Sequence, residues 1–188
     1  MRADFTVTLD ACVLIPMPLA DTLLCMAEMP RLYIPKWSDH IMEEVSRNLI
    51  GKRGLTPESA QYREDEMRKA FPDSWITGYE LLIPVMNNQE EDRHVLAAAV
   101  RSKSEVIVTY NKRHFPQSAL DPWGIECKAP SKFLQNLYDL APAIATRKLN
   151  EQAENIHIPF DDFLVKLRVA APGFVDYFCE EQGIELSN

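Results

Sequence analysis

Four polar residues stand where this sequence could do chemistry: Asp10, Glu44, Asp92 and Asn111. Asp10 ends the β-prone run Phe5-Thr6-Val7-Thr8-Leu9 and precedes a second apolar run, Ala11-Cys12-Val13-Leu14. In a parallel α/β sheet the carboxyl ends of the strands face the crevice where ligands bind, so an Asp there is held by the sheet and open to a ligand. Glu44 borders the apolar stripe Ile41, Val45 and Leu49, and Asp92 falls in the first turn of the helix that opens Val95-Leu96-Ala97-Ala98-Ala99-Val100. Asn111 follows the strand Glu105-Val106-Ile107-Val108-Thr109. If three carboxylates converge they repel: two unit charges about 4 Å apart cost roughly 4 kcal/mol at an effective dielectric near 20. They then take up protons or bind a hard cation, and Mg²⁺ and Mn²⁺ suit oxygen-rich sites. Such an ion activates water and stabilises charge on a phosphoryl oxygen, which is the chemistry of phosphodiester hydrolysis. Each residue also has a structural reading. Asp10 is a favoured helix N-cap, and Glu43, Glu44, Glu90, Glu91 and Asp92 suit solvated or early-helix charges.

The elements that must position these groups alternate between strand and helix up to about residue 135. After Asp10, Leu19, Leu23, Leu24, Met26 and Ala27 fit an amphipathic helix packed on the sheet, delayed by Pro16 and Pro18 to a start near residues 18–20 and ended by Pro30. Leu32-Tyr33-Ile34 reads as a short second strand closed by Pro35. Ser38 or Asp39 caps the Glu44 helix, and Thr56 with Pro57 starts another. Pro72-Asp73-Ser74 then restarts a helix through Trp75, Tyr79 and Leu82, with a short strand at Leu82–Met86. Trp123–Cys127 is expected as an edge strand and Pro130 as the start of the next helix. Beyond Pro142 the pattern is helical only, over 142–155, 160–170 and 172–182, with Phe160, Phe163, Leu164, Leu167, Phe174, Tyr177 and Phe178 as its apolar face. The spacing therefore predicts a domain over 1–138 and a helical extension over 142–188 that docks on it or serves as a partner-binding arm.

Size and composition narrow the function. A chain of 188 residues buries roughly 70% of its unfolded surface, enough for a full core. Lys and Arg number 20 against 28 Asp and Glu, a formal charge of −8 that argues against a surface coated for duplex DNA. It leaves room for a local basic rim around an acidic pocket, and it welcomes a basic partner protein. Cys12, Cys25, Cys127 and Cys179 are scattered without a CxxC pair, which suits reduced thiols and a cytoplasmic location and disfavours structural zinc. No apolar run is long enough to span a bilayer, and the start lacks a signal-peptide pattern, so no membrane partner is expected.

With these residues in place, Leu9-Asp10-Ala11-Cys12-Val13-Leu14 resembles the opening of PIN-domain nucleases, and Ile41-Met42-Glu43-Glu44-Val45 resembles their second, glutamate-bearing helix. Glu91-Asp92-Arg93-His94-Val95-Leu96-Ala97-Ala98-Ala99 and Val108-Thr109-Tyr110-Asn111-Lys112-Arg113-His114-Phe115-Pro116 resemble the third and fourth motifs. Order, spacing and context agree across about residues 5–135, and the helical tail resembles the extension of one subgroup of VapC-type toxins. The resemblance implies a three-layer α/β/α sandwich with a central parallel sheet and a Mg²⁺ or Mn²⁺ pocket. Asp10, Glu44 and Asp92 then hold the metal and Asn111 is an auxiliary polar ligand. Lys112, Arg113, Arg47 and Arg93 meet RNA phosphates, which position RNA without reading its sequence. It also implies a cognate antitoxin as partner and a homodimer. Two positions depart from the pattern: Asn111 stands where many members carry Asp, and His114 where a further acid often follows. Asn111 favours the alternative of a PIN-like module that binds RNA or protein without cutting. A phosphatase using Asp10 as nucleophile is disfavoured, since Cys12 occupies the place of its second acid.

Overall fold

Five short parallel strands explain why residues a hundred positions apart meet. A computed structural model describes residues 4–186. Its elements are β1 (Thr6–Leu9), α1 (Ala11–Leu14), α2 (Leu19–Ala27), β2 (Ile34–Ser38), α3 (Asp39–Arg53), α4 (Pro57–Ala70), β3 (Trp75–Ile76), α5 (Arg93–Arg101), β4 (Val106–Val108), α6 (Gln117–Leu120) and β5 (Glu126–Lys128). Four helices follow: α7 (Pro130–Leu140), α8 (Pro142–Asn155), α9 (Phe160–Ala170) and α10 (Pro172–Gln182). The strands run in the order β3-β2-β1-β4-β5, every neighbouring pair parallel. β1 and β4 lie side by side at its centre with Leu9 opposite Val108. Val7, Leu9, Ile107 and Val108 have no exposed surface, as strands of a parallel sheet require. The β2–β3 crossover carries α3 and α4, and the β3–β4 crossover carries α5. The chain reverses its direction across the sheet between them, so right-handed crossovers lie on opposite faces, the three-layer α/β/α arrangement.

The chain divides into two compact units. The sheet unit comprises Phe5–Ile15 and Ile34–Lys128. The helical unit joins Pro16–Tyr33, and so α2, to everything from Ala129 onward. The expected boundary between residues 138 and 142 falls inside this helical unit, where α7 packs on α8 and α10. Polar bonds tie α2 into it: Lys148 Nζ donates to the carbonyls of Cys25 (2.7 Å) and Glu28 (3.1 Å) at the end of α2, and Thr22 Oγ1 donates to Gln152 Oε1 at 2.9 Å. Phe133, Phe163, Leu164, Leu167, Phe174 and Phe178 form its buried core, with Phe160 and Tyr177 half-buried at the margin. The three tail helices lie where periodicity and Pro142, Pro159 and Pro172 place them.

Three sequence expectations need correction. The second strand is Ile34–Ser38 and runs through Pro35. Ile34 N bonds β1 at Phe5 O, so Pro35, which lacks an N–H, points the other way, where β3 does not reach: β3 pairs only with Trp37 and Ser38. The helix through Trp75, Tyr79 and Leu82 does not form. Trp75–Ile76 is instead one of the two edge strands, Gly78 takes a left-handed φ of 73°, and Glu80–Val85 is a 3₁₀ segment rather than a strand. Trp75 is held there by aromatic contacts, its ring 5.9 Å edge-on from Trp37 and capped by the Arg68 guanidinium at 3.4 Å. The expected caps do form: Ser38 Oγ accepts from Ile41 N, and Thr56 Oγ1 from Ser59 N. No helix among the described residues is long and apolar enough to cross a membrane.

Candidate active site

Asp10, Glu44, Asp92 and Asn111 all belong to the sheet unit. Asp10 and Asp92 each occupy the N-cap position of a helix, α1 and α5, yet neither side chain makes a capping bond. Both carboxylates are buried, Asp10 with 2% and Asp92 with 8% of its surface exposed, so their partners lie elsewhere. The purely structural reading of Asp10 as a helix cap therefore fails.

Asp10 is anchored across the centre of the sheet. Its backbone N–H donates to Val108 O (3.1 Å), which extends the β1–β4 ladder by one residue and sets Asp10 beside Thr109. Thr109 Oγ1 then donates to Asp10 Oδ2 at 2.6 Å, and the Cys12 thiol donates to the same oxygen at 3.1 Å. Thr109 Oγ1 also accepts from Asn111 N at 2.9 Å. One hydroxyl thus links the first carboxylate to the turn that carries the amide. Burial pushes the Asp10 carboxyl above its ordinary range and the Asp92 charge pushes the same way, against the hydrogen bonds from Thr109 and Cys12.

Glu44 sits one turn into α3, half-buried. Its carboxyl is likewise raised, first by burial and then by the charges of Asp10 and Asp92, while Arg47 and Lys52 oppose the shift. The three acids therefore feel one another, although they come from three separate elements. His94 Nε2 lies 3.9 Å from Glu44 Oε2, and its ring stacks on His40 with centroids 4.0 Å apart. Burial, then the His40 and Arg47 charges, lower the His94 pKa to about 4, so it is a neutral neighbour of Glu44 near pH 7. Asp92 finds its partner in His114, whose Nδ1 is 2.7 Å from Asp92 Oδ2.

Asn111 opens the 3₁₀ turn Lys112–His114 without spending its side chain on a cap. Lys112 and Arg113 are exposed on that turn, and Arg113 Nε donates to His114 Nε2 at 3.3 Å. Arg47 is exposed on α3 beside Glu44, whereas Arg93 is half-buried and its Nε donates to Asn88 O at 3.5 Å. The basic residues named from the sequence are thus arranged around the acids, with Arg93 the most committed to its own backbone.

The donor set suits a divalent cation in its chemistry: hard oxygens whose ionised forms are held back by burial and by mutual charge. Among the described residues no three Asp, Glu, His or Cys side chains are gathered closely enough to ligate one ion together. Mg²⁺ commonly takes one or two carboxylates and keeps several waters, so such a spread is compatible with it.

Sequence reasoning missed Thr109, Cys12 and His94, and took His114 only for a missing acid. Thr109 was accessible in principle: once β1 and β4 are neighbours in register, the residue after Val108 must face the residue after Leu9.

Comparison with known proteins finds similarity over part of the chain. A 63-residue stretch is 56% identical to the curated protein named "Putative ribonuclease VapC50" from Mycobacterium tuberculosis, covering 34% of this chain and 37% of that protein. The match thus spans little more than a third of that relative's length. No protein-family model matches the chain. No solved structure matches it either.

Proposed function

We propose that this chain, a protein of the VapC/PIN type, is a Mg²⁺- or Mn²⁺-dependent endoribonuclease and the toxin of a toxin–antitoxin pair. The observation that carries the proposal is the state of the acids. Asp10 and Asp92 stand at helix N-termini without capping them; burial and then the Asp92 charge raise the Asp10 carboxyl, and burial and then the Asp10 and Asp92 charges raise that of Glu44. A fold that brings carboxylates from the end of β1, from α3 and from the start of α5 within reach of one another's charge suits a cation.

In this reading Asp10, Glu44 and Asp92 hold the metal, one or two of them directly and the others through its waters. Asp10 is the most rigidly placed, through its backbone bond to Val108 and the Thr109 hydroxyl. Asn111 contributes an oxygen without adding to the repulsion. Lys112, Arg113 and Arg47 draw the phosphates of RNA to the acidic centre, and Arg93 helps set the edge of the site. A bound Mg²⁺ or Mn²⁺ supplies a more acidic water and charge stabilisation on the phosphoryl group undergoing hydrolysis. A cognate antitoxin is the proposed protein partner, and homodimer formation is part of the same reading.

The second reading is a PIN-like module that binds RNA or protein without cutting, favoured by Asn111 in place of a further acid. Incubation of the full chain with a panel of structured RNAs over a Mg²⁺ titration separates the two. The nuclease reading predicts cleavage that rises with Mg²⁺ and stops with a chelator. RNA binding without cleavage at any Mg²⁺ or Mn²⁺ concentration selects the second reading instead.

A further inference from the structure

We infer that His114 is the positioning residue of Asp92: its ring, donating from Nδ1, fixes one oxygen of the third carboxylate and leaves the other for the metal. The inference rests on the metal-site reading above and concerns the position where the resemblance leads one to expect another acid. The histidine is itself rigidly placed. Its N–H donates to Asn111 O (2.8 Å), its carbonyl accepts from Gln89 N (3.1 Å), and Gln89 O accepts from Asp92 N (3.0 Å). Two turns, one bearing Asp92 and the other Asn111, are therefore laced together through the backbone on either side of the Nδ1–Oδ2 contact of 2.7 Å.

The tautomer follows from the other ring nitrogen. Arg113 Nε donates to Nε2 at 3.3 Å, so Nε2 is the acceptor nitrogen and Nδ1, facing Asp92, is the donor. A second carboxylate at position 114 would add charge to a centre already crowded with it. The imidazole donates a hydrogen bond instead and orients Asp92 at no electrostatic cost. This is the outer-shell role that imidazole–carboxylate pairs play at metal centres, where losing the partner typically weakens metal binding by about 10–100-fold.

Two measurements on the full chain test this. The first needs no metal: ¹⁵N NMR of the ring nitrogens, with His114 assigned by comparison with His114→Ala, reads the tautomer directly. A protonated Nδ1 and an unprotonated Nε2 near neutral pH are expected, and the Nε2–H tautomer overturns the proposal whether or not the protein binds metal. The second is Mn²⁺ affinity, by electron paramagnetic resonance of the free ion, for the parent and for His114→Ala, His114→Asn and His114→Gln. The Asn amide nitrogen superposes on Nδ1 and the Gln amide nitrogen on Nε2. Expected is a loss of about 10–100-fold in His114→Ala and His114→Gln, with recovery in His114→Asn. Parent-like affinity in His114→Ala, or no recovery in His114→Asn, overturns the positioning role. A parent that binds no Mn²⁺ overturns the metal-site reading and this inference with it.

Discussion

Replacing Thr109 by Val isolates the anchor of the first carboxylate with little change of shape. Thr109 has no exposed surface, so its Oγ1 is desolvated and its bonds go to named groups: it donates to Asp10 Oδ2 at 2.6 Å and accepts from Asn111 N at 2.9 Å. A hydrogen bond to a charged group contributes about 1.5–3 kcal/mol, and an amide left without its acceptor adds about 1 kcal/mol where it is only half-buried. The sum, about 3 kcal/mol, is a large share of the roughly 5–15 kcal/mol that holds a typical domain folded. For a chain of this size each kcal/mol lowers Tm by about 2–4 °C, so Thr109→Val should melt roughly 6–12 °C below the parent at pH 7. The Thr109 bond lowers the Asp10 pKa, so its loss raises that pKa further, and the deficit should shrink as pH falls and Asp10 becomes neutral. Thermal unfolding followed by far-ultraviolet circular dichroism in metal-free buffer reads both effects. Thr109→Ser, which keeps the hydroxyl, should recover most of the loss. A Thr109→Val protein that melts with the parent at pH 7 refutes the claim that this hydroxyl holds Asp10.

The raised Asp10 pKa means the metal-free folded state binds protons more tightly than the unfolded chain, so this carboxyl's contribution to stability is present at low pH and lost as pH rises through its folded pKa. Asp10→Asn should therefore melt above the parent in metal-free buffer at pH 7, and the gap should close on acidification; a variant less stable than the parent at pH 7 contradicts this sign. His94 acts oppositely: with its pKa lowered to about 4, the unfolded chain binds the extra proton, and stability falls as pH drops from its ordinary value near 6.5 toward 4. His94→Gln should remove that part of the acid sensitivity, checked by pH-dependent melts of both proteins. In the helical unit, Phe174→Ala empties a fully buried site packed on Phe178 and should cost about 3–5 kcal/mol by denaturant titration. Lys148→Met keeps the aliphatic stem but strips two bonds from the end of α2, for a loss of about 2–4 kcal/mol in the same titration.

The parts of the molecule that rest on local rules were legible in the sequence. Asp10 could be placed at a strand end because β1 is short, β-prone and abruptly terminated, and the tail helices could be bounded because Pro142, Pro159 and Pro172 punctuate a clear apolar period. What could not be read depends on contacts distant in sequence. β3 is two residues long, too short to show alternation, and its place is set by Trp37 and Arg68. The Thr109 anchor exists only because β1 and β4 are neighbours, and the His114–Asp92 pair only because two turns meet. α2 reads as an ordinary sheet-packing helix until Gln152 and Lys148, which look like surface residues on α8, prove to be buried partners of its first turn and of its end. The alternation records the order of elements and not the faces they bury.

The central claim is that Asp10 belongs to a metal centre that cuts RNA. Asp10→Asn keeps the size of the side chain and an oxygen able to accept from Thr109 and Cys12, while removing one charge. The measurement is RNA cleavage by parent and variant at saturating Mg²⁺, with circular dichroism confirming that both are folded. The account predicts a folded variant whose cleavage rate is lower by orders of magnitude. A folded Asp10→Asn protein that cleaves as fast as the parent contradicts it.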